Sequence, residues 1–87
     1  MLQFDPAKDA ENRRKHGISL ARFADMRGIF IVPDPTHSAV EARLAAYGVI
    51  DGRVYQAVLT YRGPDPRVIS VRPASRRERR LYEASQT

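Results

Sequence analysis

Leu2 and Phe4 lead into a stretch whose only apolar side chains are Ala7 and Ala10, running from Asp5-Pro6 to His16-Gly17. Punctuation at both ends predicts a helix. Asp5 can cap the free N–H groups, Pro6 suits the first helical position, and Gly17 can take the left-handed conformation that closes a helix. Lys15 and His16 then fall in the last turn, where cations complement the helix dipole. A helix this polar belongs on the surface, anchored by Leu2 and Phe4. Ser19 caps a second predicted helix, with Ile18 and Phe23 placed as a hydrophobic staple, and Leu20, Phe23 and Ala24 on one face. This helix is expected to end near Arg27-Gly28.

The rhythm then changes to that of strands. Ile29-Phe30-Ile31-Val32 is β-rich and is stopped by Pro33-Asp34-Pro35. The stretch from about Ala39 to Ile50 meets Asp51-Gly52, a dipeptide that two-residue hairpins favour because both positions tolerate positive φ. Arg53 to Arg62 forms the partner strand, Gly63-Pro64-Asp65-Pro66 the next turn, and Arg67 to Arg72 the last strand. Ser75-Arg76-Arg77-Glu78 has capping-box spacing and opens a short helix to about Ala84. Residues 1–87 therefore read as one α+β domain with N-terminal helices, a four-stranded antiparallel meander and a short C-terminal helix.

Period-two alternation sorts the strand residues into faces. Val40, Ala42, Leu44 and Ala46 are assigned inward, as are Tyr55, Ala57, Leu59 and Tyr61, and Ile69 with Val71. The opposite face would carry Glu41, Arg43, Gln56, Thr60, Arg62, Ser70 and Arg72, with Tyr47 on the side of Glu41 and Arg43.

Size and charge narrow the function. An 87-residue chain buries only roughly 60 to 65% of its unfolded surface, so a large substrate cavity is not expected. No apolar run approaches the roughly 18 residues of a membrane helix. Met1 to Asp5 show neither a basic nor an apolar leader region, which predicts a cytoplasmic protein. The absence of cysteine excludes disulfides, thiolate metal sites and a thiol nucleophile, and His16 and His37 lack metal-ligand spacing. No metal site or cofactor is expected.

The net charge of +5 is confined to one half: residues 1–42 carry six basic and six acidic side chains, residues 43–87 nine and four. Thirteen of the 15 basic residues are Arg, the side chain suited to bidentate phosphate contacts. A codon bias toward Arg would raise that ratio everywhere; it does not explain why the surplus lies in the second half. Arg76, Arg77, Arg79 and Arg80 follow directly on Arg72, and the first two sit at a helix start, where the dipole disfavours cations unless an anion is near. Individually, Arg79 can pair with Glu83 and the others can be simply solvated. With Arg43, Arg62 and Arg72 they form the footprint of a nucleic-acid surface.

Cleaving RNA without a metal requires an oriented 2′-hydroxyl, stabilised charge on the phosphorane and proton transfer at both ends. Arg43 and Arg72 can supply the charge. The proton-transfer candidates are Glu41, His16, Glu78, Tyr55 and Tyr82, although His16 also reads as a helix-dipole partner and Glu78 as the capping-box acid. His37 stands in a Pro-rich loop without an assigned role.

In order and spacing, Phe4-Asp5, Lys8, Asn12, Lys15-His16-Gly17, Phe23-Ala24, Phe30, Asp34-Pro35, Glu41-x-Arg43 and Gly48 lead to a dense block from Ile69-Ser70-Val71-Arg72-Pro73-Ala74-Ser75 through Arg76-Arg77-Glu78-Arg79-Arg80-x-Tyr82-Glu83. This pattern resembles the BrnT-type toxins of bacterial type II toxin-antitoxin modules. The resemblance implies a RelE-like fold and a small metal-independent ribonuclease that halts translation when free. It also implies a ribbon-helix-helix antitoxin of BrnA type, assembled as two toxins with two antitoxins, through which the complex would reach operator DNA. Arg43 and Arg72 carry over as active-site residues, with His16 and Tyr82 beside them; Arg62, Arg76, Arg77, Arg79 and Arg80 are the RNA-binding candidates. The catalytic base stays open. A non-catalytic nucleic-acid-binding regulator, or a toxin that only binds its antitoxin, is the competing expectation.

Overall fold

The computed structural model describes residues 2–34 and 43–87; Glu41 and His37, and the expected start of the second strand, lie outside them. Helix α1 spans Pro6–His16 and has the predicted ends: the Asp5 carboxylate accepts from the Ala7 N–H, and Gly17 closes the helix at φ 70°. A 3-10 turn follows over Leu20–Asp25, capped by Ser19. It is shorter than the expected helix because Met26 is already extended. The three-residue period of a 3-10 turn aligns Leu20 with Phe23 and leaves Ala24 exposed, not inward.

Strands β1 (Arg27–Pro33), β2 (Leu44–Ile50), β3 (Arg53–Arg62) and β4 (Asp65–Pro73) pair in chain order, all antiparallel, and helix α2 covers Arg76–Ser85. Asp51 (φ 50°) and Gly52 (φ 78°) make the two-residue turn between β2 and β3. The next turn is equally tight, since Arg62 pairs with Asp65 across Gly63-Pro64, so β4 begins two residues earlier than expected.

One face of the sheet is the core. Ala46, Ile50, Ala57, Leu59, Val68 and Val71 pack there with Ile18, Leu20 and Met26, and Leu2, Phe4, Phe23 and Tyr55 close its margins. The alternation expected for β4 fails at one point. A bulge opposite Val58 and Leu59 sets Ile69 out of register, so Val68 turns inward together with Val71, three residues on. Thr60, expected in solvent, is buried.

Docking of α1 rests on a polar residue. The buried Asn12 amide donates to the Ile18 carbonyl (2.9 Å) and to the Val71 carbonyl (2.8 Å), and its oxygen accepts from the Val71 N–H (3.1 Å). Its side chain thus pairs with β4 as another strand residue would. Asp9, one turn earlier, accepts from the Ser19 hydroxyl and the Leu20 N–H, which ties α1 to the 3-10 turn and holds its carboxyl below the ordinary range.

Candidate RNA-binding cleft

The face opposite the core is organised by register. With the Asp51-Gly52 turn fixed, Tyr47 lies beside Gln56 and Gln56 beside Arg72, and Phe30 extends the row into β1. A neighbouring row runs Val32, Ala45, Val58, Ser70. Tyr47, Gln56 and Arg72 of the first row and Val32, Ala45, Val58 and Ser70 of the second line a cleft of about 470 Å³, with Asp34 and Glu78 at its margins.

Glu78 connects this face to α2. It completes the predicted capping box, accepting from the Ser75 N–H (2.8 Å) while the Ser75 hydroxyl accepts from the Glu78 N–H (3.2 Å). The same carboxylate grips Arg72 bidentately, Nη1 to Oε1 at 2.8 Å and Nη2 to Oε2 at 2.9 Å. That guanidinium, first, and the Ser75 N–H hold the Glu78 carboxyl down at about 2, against desolvation. The Arg72 side chain keeps 34% of its surface exposed. Of its five N–H donors, two go to Glu78 and one to the Pro73 carbonyl, leaving Nε–H and one Nη2–H without a partner among the described residues. Gln56 Nε2 donates to the Tyr47 hydroxyl (3.0 Å) and to Glu78 (3.3 Å). The Tyr47 oxygen is thereby an acceptor, and its own proton meets no acceptor among the described residues.

The remaining predicted residues are spread around this cleft. Arg43 stands just before β2, half-buried, its carbonyl accepting from the Asp34 N–H. His16 lies with Lys8, Lys15 and Ile69 in a shallow hollow along α1, and Ser70 lines both that hollow and the cleft. Tyr82 is buried and donates its hydroxyl proton to the Gly28 carbonyl (2.8 Å), fastening α2 to β1 outside the cleft lining. Tyr55 packs at the core margin beneath Arg53. Arg62 closes β3, and Arg76, Arg77, Arg79 and Arg80 are exposed on α2. Sequence reasoning missed Tyr47 and Gln56 as members of the site, although the hairpin turn already places them side by side.

A larger hollow of about 820 Å³ lies beside the 3-10 turn. There Arg22 is clamped between Asp25 (2.8 Å) and Asp51 (2.7 Å), so the charges answer one another. Among the described residues no three His, Asp or Glu side chains converge as metal ligands, and no helix is long and apolar enough to cross a membrane.

Residues 4–78 match a family model described as the ribonuclease toxin, BrnT, of type II toxin-antitoxin systems. No curated protein matches the chain significantly.

Proposed function

The chain belongs to the BrnT family of type II ribonuclease toxins, and from that premise we propose that it is a metal-independent endoribonuclease whose cleft receives the scissile phosphate at Arg72. The observation that carries this reading is the state of Arg72: oriented by a bidentate carboxylate, 34% exposed, and with two donors that find no partner among the described residues. A guanidinium held in this way can bind two phosphate oxygens and stabilise the charge that grows as the 2′-hydroxyl attacks in line. Positioning in advance matters because donors that need not reorganise act at full strength in the transition state.

Tyr47 stands one strand beyond Gln56 from Arg72, and with Gln56 donating to its oxygen it can release its proton to the departing 5′-oxygen. Glu78 is ionised over the whole physiological range, so its part is to orient Arg72, not to exchange protons. His16 lines a separate hollow that shares Ser70 with the cleft and is the candidate to take the 2′-hydroxyl proton. Arg43 adds charge at the cleft's rim. Arg62, Arg76, Arg77, Arg79 and Arg80 bind the flanking phosphates, and Tyr82 positions α2. In this reading a ribbon-helix-helix antitoxin neutralises the toxin in the cytoplasm as a two-plus-two complex that also binds operator DNA.

The test is cleavage of end-labelled RNA in EDTA, with Arg72→Ala and Arg72→Lys alongside. We expect 2′,3′-cyclic phosphate ends from the native chain, a loss of at least about 100-fold in Arg72→Ala, and incomplete rescue by Lys, which lacks the fork. RNA binding without cleavage, both with and without ribosomes, would overturn the catalytic reading in favour of a binding protein.

A further inference from the structure

The two edges of the sheet are finished differently. The outer side of β4 is paired: Gln3 bridges to Arg67, its N–H donating to the Pro66 carbonyl and its carbonyl accepting from the Val68 N–H. Among the described residues nothing pairs with the outer side of β1. That strand carries consecutive exposed apolar side chains, Ile29 (44% exposed), Phe30 and Ile31 (46%). Long apolar edges are normally blunted, because they offer a ready ladder to another chain.

Backbone parity shows what this edge presents. The Asp34 N–H donates to the Arg43 carbonyl, and β1 and β2 pair in unbroken register from Phe30 to Pro33. Backbone groups in an antiparallel pair alternate in direction. Phe30, Val32 and Asp34 therefore direct theirs into β2, and Ile31 directs both its N–H and C=O outward. Pro33 also faces outward, where it forfeits no ladder bond and sets the limit of the usable edge. The side chains project to both sides: Ile31 lies beside Ala46 on the core face, and Phe30 beside Tyr47 on the other.

We propose that this edge receives an extended, acidic segment of the antitoxin, which adds as a fifth strand beside β1 and alternates its apolar side chains between Ile31 and Phe30. Type II family membership supplies a protein partner, and charge selects its chemistry. The chain carries +5, β1 opens with Arg27, and Tyr82 ties the Arg-bearing helix α2 to the next residue. A second copy of this chain would bring like charge to like; a segment with carboxylates beside its apolar positions would not.

The decisive measurement is amide hydrogen exchange of the native chain, free and saturated with its full-length cognate antitoxin. The Ile31 amide is expected to exchange rapidly in the free protein and at least ten-fold more slowly in the complex. In parallel, Ile29→Asp/Ile31→Asp is expected to weaken antitoxin binding at least ten-fold by calorimetry. Ile31→Pro, which removes the outward donor and the isoleucine side chain but adds no charge, is expected to weaken it less. Unchanged Ile31 exchange on complex formation would overturn the proposal whether or not the variants fold. So would a dimer of the toxin alone, seen by sedimentation and dispersed by the same substitutions, since the edge would then belong to a second copy. Neither readout uses cleavage, so the proposal stands or falls independently of the nuclease reading.

Discussion

Helices α1 and α2 are both short and highly charged, and neither offers the sheet a broad apolar stripe, yet they are attached for different ends. Asn12 holds α1 by three hydrogen bonds, two of them to a single strand residue, all buried. The inner side of α2 presents Glu78 and, one turn on, Tyr82; the first grips a side chain, Arg72, and the second the Gly28 carbonyl. The helix whose buried amide binds only backbone is part of the scaffold. The helix that binds a partly exposed guanidinium borders the candidate site, where Arg72 stays reachable from solvent. Polar docking thus serves stability at Val71 and, in the proposed reading, chemistry at the adjacent Arg72.

The largest expected effect lies with α1. Asn12→Ala would leave the Val71 N–H and the Val71 and Ile18 carbonyls without partners in the interior, a loss of about 3 kcal/mol or more. For a domain of this size that corresponds to a fall in melting temperature of about 12 °C or more. Calorimetric melting checks it. A shift of only a few degrees would mean that α1 is held mainly by Leu2 and Phe4 and that the contrast between the helices is false.

Next comes the seat of Tyr82. Gly28 adopts φ 64°, and a Cβ there would stand 2.5 Å from the Tyr82 hydroxyl. Gly28→Ala is expected to cost about 2 kcal/mol, from left-handed strain together with a weakened Tyr82 bond. Tyr82→Phe, which deletes the bond but spares the backbone, should cost about 1 kcal/mol. Denaturant titrations of both variants separate strain from bonding; equal losses would show that the close approach at Gly28 is relieved at no cost.

Acid tests the fork. The Glu78 carboxyl, at about 2 in the fold and near its ordinary 4.5 when exposed, contributes stability that is complete above pH 4.5 and is lost as pH falls toward 2. Glu78→Gln is therefore expected to flatten the stability profile over that window while the native chain declines. Parallel profiles for the two proteins would show that the Arg72–Glu78 pair is not linked to folding.

What could be read from the sequence follows from how local each signal is. Caps, turns and the capping box depend on residues within four positions of one another, so Asp5, Gly17, Asp51-Gly52 and Ser75 marked their elements correctly. The hairpin turn even implied that Tyr47 faces Gln56, by counting outward from it. Asn12 escaped because hydrophobic periodicity has no means of marking a buried amide in a polar helix. The bulge at Ile69 escaped because Val68, Ile69 and Val71 are all apolar, so either phase of alternation looked satisfactory. Glu78 reads both as a proton-transfer candidate and as a cap, a role of range three; its grip on Arg72 depends on α2 folding back toward the sheet. The cations of the candidate site were legible from composition, and the pairing of Arg72 with Glu78 was not.

Ser75 gives the smallest effect and the finest distinction, because Glu78 serves both cap and fork. Ser75→Ala removes the hydroxyl that accepts from the Glu78 N–H at an exposed helix start, a loss of about 1 kcal/mol. The Ser75 backbone N–H remains, so Glu78 keeps that bond and its bidentate hold on Arg72. Thermal melting should record the loss, while the decline in stability below pH 4.5 and the rate of RNA cleavage stay as in the native chain. If cleavage falls in proportion to stability, α2 is not an independently capped carrier of the site, and its end and its fork form one cooperative unit. If stability alone falls, capping fixes the helix and the Arg72–Glu78 pair separately fixes the chemistry.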